Sequence, residues 1–141
     1  MIRTALRSFV LGAVIFAGTA AMSPNGKPPA ASMTALRQLE KGQWELRDRG
    51  ARRDDPPRQR ICVGDPSQLL RAGHSGQGCD QFVVADQADR AVVTYQCRGK
   101  GNRRTDLRVE TPRLVQIQSQ GVTDGAPFAE QLEARRIGDC N

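Results

Sequence analysis

The chain has 141 residues with 21 Lys+Arg against 15 Asp+Glu, four Cys, one His and six aromatic residues. That length accommodates one domain rather than two, and 4% aromatic content excludes a core built on large rings. The scarcity of aromatics also excludes the stacking platforms on which single-stranded nucleic acids are usually bound.

Residues 1–21 divide into three parts. Arg3 and Arg7 form a basic opening, Phe9–Phe16 an apolar centre, and Ala17-Gly18-Thr19-Ala20-Ala21 a small-residue exit. This is the layout of a secretory signal peptide cleaved after Ala20 or Ala21, and too little of it is apolar for a stable transmembrane span. Cleavage removes two Arg and no acid, which lowers the net charge from +6 to +4. The expected location is therefore periplasmic or secreted, with no membrane anchor left after cleavage. Residues 22–35 follow as a flexible leader rich in Pro, Gly, Ser and Ala, and residues 36–141 form the single domain. A short helical turn fits between Met33 and Glu40, and Gly42 stops it.

Gln43–Arg47 then alternates as a strand with Trp44 and Leu46 on one face. Residues 50–57 (GARRDDPP) read as a loop, because two prolines and four charges neither pair well in a sheet nor bury. Gln59–Val63 begins a second strand. Asp65-Pro66-Ser67-Gln68 is a helix start with a capping acid, Pro at the first position and Gln three residues after the cap. Leu69 and Leu70 give that short helix an apolar face, and Gly73 ends it.

The remainder reads as antiparallel strands. Phe82–Val84 and Ala91–Tyr95 flank a polar hairpin tip from Asp86 to Arg90. Folding about Pro112 places Leu107 opposite Ile117 and Val109 opposite Val115, with Leu114 on the other face. Phe128–Ile137 supplies the last strand. The expected architecture is mainly β: an antiparallel meander of about six strands with one short helix and two disulfides, apolar on one face and mainly charged on the other. Trp44, Phe82, Tyr95 and Phe128 are expected to be core residues.

Cys62, Cys79, Cys97 and Cys140 are an even set in an exported domain and contain no C-x2-C pair, so they read as disulfides rather than zinc ligands. One arrangement pairs Cys79 with Cys97, which face each other if the hairpin centres on Ala88. The other pairs Cys62 with Cys79 and Cys97 with Cys140. The second is preferred, because a bridge along an existing hairpin constrains what is already held.

No catalytic constellation emerges. Gly73-His74-Ser75-Gly76-Gln77 misses the G-x-S-x-G elbow at its last position, and its His is adjacent to the Ser rather than facing it. Asp54-Asp55 and Asp86 with Asp89 lie in polar loops, where neither carboxyl would be desolvated for acid–base work. Gly99-Lys100-Gly101-Asn102 lacks the phosphate-loop pattern. No metal or cofactor is expected. Basic residues concentrate in residues 47–60 and 98–113. In the second stretch, Arg98, Lys100, Arg103, Arg104, Arg108 and Arg113 are the candidate contacts for an anionic surface.

The Gly42-Gln43-Trp44-Glu45 opening, Cys62-Val63 before a Pro-started segment, Gly78-Cys79, Cys97 and the closing Arg136-Ile137-Gly138-Asp139-Cys140 together resemble a family of small exported bacterial proteins, domain of unknown function 3617. The resemblance spans residues 36–141 and implies an exported, disulfide-bonded, β-rich domain without a known activity. The expectation is a monomeric, non-enzymatic binding or envelope-associated protein whose candidate partners are anionic envelope components. A small hydrolase or metal-dependent enzyme, and an inhibitor acting through an exposed sheet edge, are the alternatives.

Overall fold

A computed structural model describes residues 32–73 and 78–141. The signal-peptide segment, most of the leader, and His74 to Gln77 with the elbow-like Ser75 lie outside the described residues. Seven strands form: β1 (Gly42–Asp48), β2 (Gln59–Val63), β3 (Cys79–Asp86), β4 (Arg90–Cys97), β5 (Gly101–Thr111), β6 (Leu114–Thr123) and β7 (Ala126–Gly138). They make one antiparallel sheet in the order β2-β1-β7-β6-β5-β4-β3. The mainly β class and the two disulfides are thus as expected from the sequence, with seven strands in place of about six.

Strands β3 to β7 are a meander whose registers follow from local alternation. Leu107 faces Ile117 and Val109 faces Val115 across the Pro112 turn, and Cys79 faces Cys97. The β1–β2 hairpin departs from the meander. Its β1 strand pairs with β7 from Gln43↔Gly138 to Asp48↔Leu132, which carries the first strand in the chain to the far side of the last. The link from β2 to β3 must therefore run from one edge of the sheet to the other. It does so over the apolar face, and the short helical segment Pro66–Arg71 lies on that path.

This segment is a 3-10 helix rather than an α-helix, and its start is as read from the sequence. The Asp65 carboxylate accepts from Ser67 N at 2.9 Å, and the Gln68 side chain accepts from Asp65 N at 3.0 Å. Leu69 and Leu70 are fully buried beneath it. A second 3-10 turn, Leu36–Gln38, follows Met33 and Ala35, both also fully buried. Met33 and Ala35, which fall in the expected leader, accordingly belong to the core.

The apolar face presents Trp44, Leu46, Val93, Leu107, Ile117 and Leu132 to these 3-10 segments. Trp44 is fully buried and its indole N–H donates to Glu40 O at 3.0 Å. Tyr95 is buried in the same cluster, whereas Phe82 departs from its expected core position. It projects from the opposite face of edge strand β3 and is 42% exposed.

Burial pushes the Tyr95 phenol up to about 12. An unfolded tyrosine ionises near pH 10, so the unfolded chain releases this proton first as pH rises. The stability tied to neutral Tyr95 is fully present below about pH 10 and is lost as pH climbs through about 12. Tyr95→Phe is expected to remove this alkaline loss. Spectrophotometric titration of the chain's single tyrosine, alongside unfolding at several alkaline pH values, checks it.

The preferred disulfide pairing is corrected. Cys62 bonds Cys140 and Cys79 bonds Cys97. The cause is the β1–β7 pairing: β1 holds β2 on one side and the C-terminal end of β7 on the other. Cys62 and Cys140 thereby come to a Cα separation of 5.5 Å despite lying 78 residues apart. Cys79 and Cys97 are direct cross-strand neighbours with Cα atoms 4.0 Å apart.

Candidate functional site: the polar sheet face and its arginine rim

The six basic residues singled out between 98 and 113 do not form one surface. Arg98 and Lys100 are exposed in the β4–β5 turn. Arg113 occupies the β5–β6 turn at the other end of the hairpin, where its Nε donates to Glu40 at 2.8 Å. Strand alternation then separates the remaining three. Arg103 falls on the core side of β5, and Arg104 and Arg108 fall on the solvent side.

Arg103 is a structural clasp at the rim of the core. Its Nη1 donates to Glu130 Oε1 at 2.6 Å and to Ala72 O at 3.1 Å, which ties the end of the 3-10 segment to β7. The guanidinium also lies 4.5 Å from the centroid of the Phe128 ring. Gly121 makes this possible. It pairs with Arg103 on one side and Phe128 on the other, and a Cβ there would stand 2.1 Å from Asn102 O. Arg58 reaches the second Glu130 oxygen at 3.1 Å, so one largely buried carboxylate serves two guanidiniums. Glu130→Gln removes that charge from between them and is expected to destabilise by about 2–3 kcal/mol. Urea unfolding of the variant measures it, and a cost below 0.5 kcal/mol, of the order of a neutral surface change, would contradict the clasp.

On the solvent face, cross-strand register builds rows of polar side chains. Asp106, Gln118 and Gln131 align across β5, β6 and β7, and Arg108, Gln116 and Glu133 form the next row. Arg104 and Gln120 stand opposite each other in the row on the other side. A groove of about 340 Å³ runs over these rows, lined by Arg49, Arg90, Asp106, Arg108, Gln116 and Gln118. It adjoins a smaller depression of about 150 Å³ that shares Asp106 and Gln118 and adds Arg104 and Gln120.

Several of these charges are already matched. Arg90 Nε donates to Asp106 at 2.9 Å, and Arg108 pairs with Glu110 at 2.9 Å. Farther along the face, Glu45 lies between Arg47 and Arg60. The Arg47 hydrogen bond, with support from Arg60, holds its carboxyl below the usual carboxylate range against the opposing effect of burial. Arg49 and Arg104, both exposed, have no ion-pair partner among the described residues. Gln116 is only 8% exposed. Its Nε2 donates to Glu133 at 3.1 Å, while its Oε1 is buried without a hydrogen-bond partner. An acceptor left in that state is destabilising by about 1–3 kcal/mol unless a ligand or water completes it.

Two of the four carboxylates weighed for chemistry are used structurally: Asp86 accepts from Thr34 N at 2.7 Å and Asp55 from Arg52 N at 2.8 Å. Asp89 contributes its backbone oxygen, which accepts from Val109 N at 2.7 Å. Among the described residues no group of three His, Cys, Asp or Glu is placed to hold a metal ion. No helix among them is long and apolar enough to cross a membrane.

Arg49 and the three glutamines of β6 were not candidates on sequence grounds. Gln116 and Gln118 alternate with the apolar Val115 and Ile117 in the sequence, but the groove exists only once the neighbouring strands and Arg49 are set beside them. Comparison of the chain with family models, curated proteins and solved structures finds no match. The resemblance to domain of unknown function 3617 therefore rests on the motifs quoted above.

Proposed function

We propose that the chain is an exported, periplasmic binding module without catalytic activity of its own, a member of the domain of unknown function 3617 family, which uses the solvent face of β4–β7 for recognition. One observation carries the reading: the polar groove, lined by Gln116 and Gln118, is flanked by two unmatched arginines, Arg49 and Arg104. Two disulfides among the four cysteines support an oxidising compartment. The module acts as a monomer and meets anionic components of the envelope.

Mass spectrometry of the protein purified from its exported fraction tests this. Under denaturing conditions the mass should lack the signal peptide and four hydrogens. Under native conditions a bound molecule should accompany the chain and be lost in the Arg49→Ala/Arg104→Ala variant. Four free thiols would overturn the exported reading, and a turnover activity that maps to the acidic residues would overturn the non-enzymatic one.

Strand β3 favours a second reading. It is the outermost strand on its side and carries Phe82 and Val84, 42% and 50% exposed. Such an edge can accept an extended segment of a partner by strand addition. Capture of a defined periplasmic protein, abolished by Val84→Pro but not by Arg49→Ala/Arg104→Ala, would support this reading over the first.

A further inference from the structure

We infer that the groove on the solvent face binds an acidic oligosaccharide, a hydroxyl-rich chain carrying carboxylates; this rests on the binding-module reading and names its ligand class. The lining combines two kinds of group. Guanidiniums offer forked N–H donors that match a carboxylate bidentately, and Arg49 and Arg104 stand unmatched at separate positions along the groove. Between them Gln118 and Gln120 project from alternate positions of β6, each offering one acceptor and two donors at once. Sugar hydroxyls are complementary to such amides because they also donate and accept.

Gln116 makes the requirement more specific. Its Nε2 already serves Glu133, so the Oε1 is fixed as an acceptor that needs a donor. A carboxylate, phosphate or sulfate alone supplies no donor. A sugar hydroxyl does, and it reaches the buried Oε1 once the Gln116 side chain turns toward the groove it lines. A ligand that carries hydroxyls as well as negative charge thus matches both the glutamines and the arginines.

The lining also excludes neighbouring classes. Among the described residues no aromatic ring lines either depression, and Phe82, in the same row of this face, stands two strands away from Arg104; within them nucleobases find nothing to stack on, and neutral sugars lack the apolar platform that commonly holds them. The charge excess argues the same way. Asp106 is occupied by Arg90, and the unmatched groups are both cations. The two depressions share Asp106 and Gln118, which suits an extended chain better than a compact monosaccharide.

The test uses the full, oxidised chain with isotope-labelled amides, titrated with hexagalacturonate, with maltohexaose as the neutral comparator and with inorganic sulfate. Hexagalacturonate is expected to shift the amide resonances of Arg104, Gln116 and Gln118, with affinity falling as salt rises. Maltohexaose should leave them in place, and sulfate should bind at least tenfold more weakly than the oligomer. Arg49→Ala/Arg104→Ala should weaken hexagalacturonate by at least about tenfold without moving the thermal midpoint, because both side chains are exposed. Gln116→Leu should weaken it severalfold while stabilising the free protein, since it removes an unsatisfied acceptor. Absence of shifts at these residues, equal binding of maltohexaose or sulfate, or unchanged affinity in the double variant would overturn the inference. If hexagalacturonate fails but native mass spectrometry shows another molecule lost in the double variant, the ligand class falls and the binding module stands. If neither is seen, both fall.

Discussion

Replacing Cys62 and Cys140 together by Ser is expected to lower stability by about 4.5 kcal/mol, against about 3 kcal/mol for the Cys79/Cys97 pair. The two bridges differ in what they do to the unfolded chain. The first joins residues 78 apart and the second joins residues 18 apart. Closing the longer loop removes more conformational freedom from the denatured ensemble. The native surroundings reinforce the difference. Cys79 and Cys97 are direct partners in a hairpin that backbone pairing already aligns, whereas the Cys62–Cys140 bridge ties edge strand β2 to the end of β7. Urea unfolding of the two double variants, with the remaining disulfide kept oxidised, measures the contrast. Equal losses, or a larger loss for Cys79/Cys97, would count against it.

Trp44→Ala should be nearly as damaging, at about 3–5 kcal/mol. Trp44 is the largest fully buried side chain, and it sits on β1 where that strand is paired on both sides. Its removal leaves a cavity between the sheet and the 3-10 segments and deprives Glu40 O of its indole donor. Trp44→Phe keeps much of the volume but loses the hydrogen bond, so a smaller cost of about 1–2 kcal/mol is expected. Because this is the only Trp in the chain, unfolding of both variants is followed by circular dichroism rather than fluorescence. A Trp44→Ala loss below 1 kcal/mol, the size of an ordinary surface change, would show that the ring does not hold β1 in place.

What the sequence made legible were the local relations. The Pro112 hairpin register, the Asp65 capping box and the burial of Trp44 all follow from neighbours within a few residues. The disulfide pairing was not legible, because it depends on β1 lying beside β7, a contact between opposite ends of the domain that no local pattern announces. The favoured alternative weighed how much each loop would be constrained and omitted that long-range pairing. The same blindness hid Met33 and Ala35 in a stretch that reads as leader, since their burial depends on the distant strands they cover. Alternation assigned Arg104 and Arg108 to one face and Arg103 to the other, but clustering in sequence alone suggested one basic surface. The groove required several strands in register plus Arg49, and of its lining only Arg104 and Arg108 were candidates in the sequence.

The place of β7 between β1 and β6 also sets an order of events. A polypeptide is synthesised from its N-terminus, so β1 and β2 are made long before the strand that must hold β1 in the sheet. Until β7 arrives, the hairpin is a two-stranded ribbon detached from the meander, and such a ribbon is marginal in water. The growing chain is thereby kept from closing its sheet early. Only with β7 present can β1 dock against it and Cys62 meet Cys140. An oxidant acting on the unfinished chain would find Cys62, Cys79 and Cys97 before Cys140 is made, and the β3–β4 hairpin, which sets Cys79 opposite Cys97, leaves Cys62 to wait for Cys140.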